Sequence, residues 1–108
     1  MNKGKILQSS LNSLLVFNEV AKHKSFSKAA EGLFISQPAV TKHIRGLELK
    51  VGMGLIQRGR GGFALTEVGK ILFKLTQKIS YSLMEIENIL GNLQKDHHGL
   101  LKIGALYG

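Results

Sequence analysis

Apolar residues in this chain fall into short, regularly spaced runs separated by glycine, serine and proline, and the spacing is helical over most of its length. The opening stretch, Met1 to Ser9, is polar apart from Ile6-Leu7 and is expected to be a mobile arm. From Leu11 to His23, Leu14, Phe17 and Ala21 share one face with Leu11, Leu15 and Val20 beside it, which predicts a first helix. Ser25-Phe26-Ser27 interrupts the pattern, and Ser27 is the expected N-cap of a short second helix running through Leu33. After Phe34-Ile35, Ser36 is placed to cap a third helix with Pro38 in its first turn, where a missing N–H costs nothing.

In that third helix Val40, Ile44, Leu47 and Val51 recur at i, i+4, i+7 and i+11. At 100° per residue these four lie within about 40° of one another and form one buried stripe. Pro38, Lys42 and Arg45 fall near the opposite side, flanked by Ala39 and Thr41. Gly52 is the natural stop.

From Leu55 to Leu65 the chain is β-like at both ends, with Gly59-Arg60-Gly61-Gly62 between, and a small hairpin accounts for it. Thr66 then caps a long helix with Glu67 at its positive end. Val68, Leu72, Leu75, Ile79, Leu83, Ile86, Leu90 and Leu93 follow at spacings of four, three, four, four, three, four and three. This seam continues for about seven turns, or roughly 40 Å. A helix of that length cannot bury its seam on so small a domain, so the stripe needs a second helix, most simply from another copy of the chain. Asp96-His97-His98-Gly99 ends the helix, and Leu100 to Leu106 reads as a strand with no partner, as expected for the front piece of a longer protein.

At 108 residues there is room for one small domain plus one extended element. The net charge is +8, with pI near 10.0, and it is segregated. Residues 1–65 hold ten Lys and Arg against three acids (+7), whereas residues 66–108 hold five against four (+1). Such segregation points the first part at a polyanion, with nucleic acid first. An anionic membrane surface is the alternative, but there is no Trp to anchor a basic amphipathic helix, and the basic residues lie in several short segments. The absence of Cys excludes disulfides, thiolate zinc sites and cysteine nucleophiles. With no apolar signal core and no membrane-length apolar stretch, a cytoplasmic protein is expected.

A short helix, a tight turn and a second helix with an outward polar face describe a helix-turn-helix, whose second helix fits the DNA major groove. Gln37 can present an amide donor and acceptor to a base edge; Lys42 and Arg45 can reach phosphate or guanine; Pro38 and Ala39 offer apolar contact to a thymine methyl. Ser27 and Ser36 either hold phosphates at helix N-termini or serve only as caps. Arg58 and Arg60, beside the hairpin, would flank the minor groove or backbone, although a glycine cluster alone is also a plain turn. His43 is expected at the core edge or exposed. His97 and His98 read as a solvated hinge rather than a metal site. No nucleophile-base pair, paired carboxylates or phosphate loop stands out, so no enzyme is expected.

The run Phe17, Val20, Ala21, Ser25-Phe26-Ser27, Ala29-Ala30, Leu33, Ser36-Gln37-Pro38-Ala39-Val40, Ile44, Leu47-Glu48, Gly52, Leu55, Arg58, Leu65-Thr66 and Gly69 resembles the N-terminal signature of LysR-type transcriptional regulators. The resemblance implies a mainly α fold: a winged helix-turn-helix of three helices plus a small β-hairpin wing, followed by a long dimerisation linker helix. It implies DNA-binding residues Ser27, Lys28, Ser36, Gln37, Pro38, Ala39, Thr41, Lys42, Arg45, Arg58 and Arg60, with positions 41–43 tuning site choice. It further implies a homodimer interface at Leu72, Leu75, Ile79, Leu83, Ile86, Leu90 and Leu93, tetramers at full length, and partly palindromic sites. No cofactor is expected in residues 1–108; a small-molecule co-inducer is implied for a missing effector-binding domain.

The expected boundaries are 1–65 for the DNA-binding domain, 66–95 for the linker helix, and 96–108 for a hinge and first effector-domain strand. Several positions depart from the family pattern: Gly32, Leu49, Ile56 and the Gly61-Gly62 wing. Two other readings stay open, a non-enzymatic protein-interaction and dimerisation module and the DNA-recognition piece of a recombinase.

Overall fold

The computed structural model describes residues 3–59 and 61–96. Four helices follow one another: α1 (Lys3–His23), α2 (Phe26–Leu33), α3 (Gln37–Val51) and α4 (Glu67–Asp96). The chain divides after Gln77 into two compact units. The first contains α1 to α3, the segment between α3 and α4, and the opening of α4; the second contains the rest of α4.

The core of the first unit joins Phe17, Val20 and Ala21 of α1, Ala29 and Ala30 of α2, Val40, Ile44 and Leu47 of α3, and Leu55 and Ile56 after it. Phe17, Val20, Val40, Ile44 and Leu55 are completely buried. Each such side chain contributes about 1.5–3 kcal/mol relative to exposure. The 3.6-residue stripe of α3 is therefore real for its first three members, but Val51 is 39% exposed, because Gly52 takes a left-handed φ of 78° and turns the chain away. The small Ala29 and Ala30 let α2 approach the other two helices closely.

Two elements differ from expectation at their starts. The first helix begins at Lys3 instead of Leu11, so residues 3–9 of the expected arm belong to α1. Lys, Gln, Ile and Leu extend a helix at little cost, and Ser10 is buried against the domain, with its Oγ accepting from Lys50 Nζ at 3.3 Å. The second helix is capped by Ser25, not Ser27. Ser25 has extended backbone (φ −161°, ψ 129°) and its Oγ accepts from Lys28 N at 3.1 Å. Phe26 packs against the core as the first helical residue, which draws the helix start two positions forward.

Between α3 and α4 the hairpin reduces to one antiparallel bridge, Ile56 with Leu65, flanked by Gln57 N donating to Ala64 O (2.9 Å) and Thr66 N to Leu55 O (3.0 Å). Gly61 and Gly62 turn the tip with φ of 100° and 92°, conformations that a side chain would resist. Thr66 then caps α4 as expected, its Oγ1 accepting from Gly69 N at 3.0 Å while donating to Gly54 O at 2.7 Å.

Candidate nucleic-acid interface

Helix α2, the turn and α3 form the centre of the candidate site. The turn is fixed by Phe34, the left-handed C-cap of α2 (φ 58°, ψ 40°), and by Ile35 N donating to Ala30 O at 3.1 Å. Ser36 then caps α3, its Oγ accepting from Ala39 N at 3.2 Å. These bonds set the start of α3 relative to α2 using backbone and cap groups alone, so the outward side chains remain free to vary.

The outward face of α3 carries Gln37, Pro38, Lys42 and Arg45, all exposed, with Ala39 and Thr41 half-buried at its margins. Gln37, at the helix entrance, combines an amide donor and acceptor. Lys42 and Arg45 follow along the helix on the side of Pro38 and add two cations. Ser27 and Lys28 are exposed in the first turn of α2, and the Ser27 hydroxyl lies 3.1 Å from that of Ser25. Ser36 is exposed at the N-terminus of α3, so its capping bond does not withdraw it from a ligand.

Arg58 belongs to a different arrangement. Its Nη2 donates to Glu48 Oε1 at 2.9 Å, and the Oε2 atom of the same carboxylate accepts from Leu55 N at 2.8 Å and Ile56 N at 3.3 Å. Glu48 thus ties the end of α3 to the strand that starts the wing. The Arg58 side chain remains 53% exposed, so it can still meet a polyanion from one side. Glu48 was legible in the sequence only as a member of the Leu47-Glu48 pair, since its partners are seven to ten residues away across a turn. Arg60, His97 and His98 lie outside the described residues, as does the expected strand from Leu100.

Two further polar links have no sequence signal. Ser13 Oγ and His43 Nδ1 share a 2.9 Å hydrogen bond across the α1–α3 seam. Thr76 Oγ1 of α4 donates to Asn18 Oδ1 of α1 at 2.8 Å, and both side chains are buried.

Of the expected pairing residues, Leu72 is half-buried against the core of its own chain. Leu75 is 50% exposed, and Ile79 is half-buried. In the second unit Leu83, Ile86 and Leu93 are 40%, 52% and 38% exposed, with Leu90 half-buried among them. Among the described residues no helix is long and apolar enough to cross a membrane, and no three His, Cys, Asp or Glu side chains converge as a metal site.

Residues 11–70 match the family described as bacterial regulatory helix-turn-helix protein, lysR family. The chain is 42% identical over 96 residues to the RuBisCO operon transcriptional regulator of Allochromatium vinosum, covering 89% of this chain and 32% of that protein. It is 33% identical over 103 residues to the HTH-type transcriptional activator BauR of Pseudomonas aeruginosa, covering 95% of this chain and 34% of that one. The chain therefore spans about a third of the length of these curated relatives. Among solved structures, the BenM_DBD/catB site 1 DNA complex superposes with a TM-score of 0.70 at 28% identity, covering 81% of this chain and 98% of the other. The CbnR_DBD-DNA complex gives 0.59 at 27% identity, covering 79% and 93%. On this match of motif, fold and relatives, the chain belongs to the LysR family of bacterial regulatory helix-turn-helix proteins.

Proposed function

We propose that this chain binds duplex DNA sequence-specifically as a homodimer, with α3 of each copy in a major groove, and that it serves a cytoplasmic transcriptional regulator without enzymatic activity of its own. The observation that carries the reading is the outward face of α3, where Gln37, Pro38, Lys42 and Arg45 stand exposed together on a helix held rigidly by its caps and its buried stripe. An α-helix fits the B-DNA major groove, where each base pair shows a distinct pattern of donors and acceptors. Similarity to BenM and CbnR domains solved in complex with DNA supports it.

Ser27, Lys28 and Ser36 supply backbone phosphate contacts, and Arg58 and Arg60 flank the groove from the wing. Residues 1–65 make up the DNA-reading part and 66–95 the linker through which two copies pair. The exposed Leu75, Leu83, Ile86 and Leu93 support pairing, because an isolated helix leaves such a stripe in water. In the full-length regulator a further domain binds a small-molecule co-inducer, and tetramers form.

A titration of the chain against duplexes enriched from a random pool, with competitor DNA at several salt concentrations, tests the reading. Each neutralised phosphate contributes about −0.9 to the slope of log affinity on log salt. Preference for enriched duplexes supports the proposal. Equal affinity for every duplex at every salt overturns it and favours a protein-interaction module.

A further inference from the structure

Ser13, Ala39, Lys42 and His43 line a hollow of about 350 Å³ on the seam between α1 and α3. One nitrogen of the His43 ring, Nδ1, is held by Ser13 Oγ at 2.9 Å. Among the described residues neither the other nitrogen, Nε2, nor the Lys42 ammonium has a protein partner. Lys42 is exposed and His43 half-buried, so one cation and one partly shielded ring share a single recess.

Fixing one imidazole nitrogen determines what the other can do. In the tautomer where Ser13 donates to Nδ1, the ring proton resides on Nε2, which is then a donor in the recess that Lys42 also lines. A donor and a cation lining one recess suit a phosphate group, which accepts hydrogen bonds and carries negative charge. A metal ion is a poorer fit, because a charged lysine repels it and only one imidazole is at hand. Lys42 also belongs to the outward face of α3, so an anion seated here lies against the same duplex that α3 would read.

Resting on the reading that α3 enters the groove, we infer that Ser13, Lys42 and His43 form a seat for one backbone phosphate of the DNA. His43 Nε2 donates to the phosphate, Lys42 supplies the opposing charge, and Ser13 orients the ring from α1. Such a contact sets the depth and register of α3 without reading a base.

The test replaces single phosphates of an enriched duplex by neutral methylphosphonates, one at a time. In the unmodified chain, one substitution per half-site is expected to weaken binding roughly three- to tenfold, the loss of one hydrogen bond. His43→Phe, checked for helix content by circular dichroism, should bind more weakly and respond less at that phosphate, keeping only the part due to Lys42, while its salt slope is unchanged. Lys42→Ala should instead lower the salt slope by about 0.9. Ser13→Ala provides a second variant that leaves the ring in place, and it should blunt the same response. If His43→Phe and Ser13→Ala keep the full methylphosphonate profile, the seat is wrong and the reading of α3 stands. If no duplex is preferred and no phosphate matters even in the unmodified chain, both are overturned together.

Discussion

Glu48 on α3 and Arg58 at the start of the wing are joined by a 2.9 Å ion pair, in which one carboxylate oxygen takes the guanidinium and the other takes the backbone amide of Leu55. The two halves of this arrangement differ in consequence. The ion pair is half-exposed and worth about 0–1 kcal/mol, whereas an unpaired amide beside the buried Leu55 costs about 1–3 kcal/mol. Glu48→Ala should therefore destabilise the domain by about 1–3 kcal/mol in urea denaturation, and Arg58→Ala by less than about 0.5. Equal losses in the two variants would mean that the ion pair, not the amide cap, anchors the wing.

Two glycines should respond in opposite directions. A Cβ on Gly69 would stand 2.1 Å from the Leu55 carbonyl oxygen and 3.3 Å from the Leu65 side chain, so α4 and the wing strand would have to separate. Gly69→Ala is expected to cost about 1–3 kcal/mol through that overpacking. Gly32, inside α2, has nothing within 4 Å of such a Cβ and an ordinary helical backbone, so Gly32→Ala should raise stability by about 0.4–1 kcal/mol. Thermal unfolding of the pair checks both signs.

The buried bond from Thr76 to Asn18 at 2.8 Å makes these two positions interdependent. Thr76→Val alone leaves the Asn18 carbonyl unsatisfied and should cost about 1–3 kcal/mol. Following it with Asn18→Leu should cost less than the sum of the single changes, because no polar group is then stranded. Strict additivity across this cycle would contradict a coupled pair.

The α4 stripe leads to a simple expectation. Ile86 is 52% exposed, so Ile86→Glu should leave the fold of the chain unchanged by circular dichroism. If the stripe pairs two copies, sedimentation should show the parent chain as a dimer and the variant as a monomer at the same concentration. A variant that still sediments as a dimer would place the interface elsewhere.

What could be read from sequence was whatever depends on near neighbours. The α3 stripe through Leu47, the caps at Ser36 and Thr66 and the Gly52 stop each rest on residues within a turn or two, and these appear where the pattern puts them, whereas Val51 does not. The choice of Ser25 over Ser27 depended on Phe26 finding a place in the core, which local spacing cannot reveal. The early start of α1 escaped notice for a similar reason, since Ser10 is polar in sequence and buried only because of the domain around it. Within the candidate site, the outward face of α3 followed from helical periodicity, but the Glu48 carboxylate and the Ser13–His43 bond join segments that only folding brings together.

Base reading by α3 is the centre of the account, and enrichment sequencing of a random duplex pool with the parent chain and with Gln37→Ala tests it most directly. The parent should enrich a partly palindromic site, and Gln37→Ala should lose about 1–3 kcal/mol of discrimination at one base pair in each half-site while keeping the others. Failure of the parent to enrich any site, or an even loss of preference across the whole site in the variant, would contradict it.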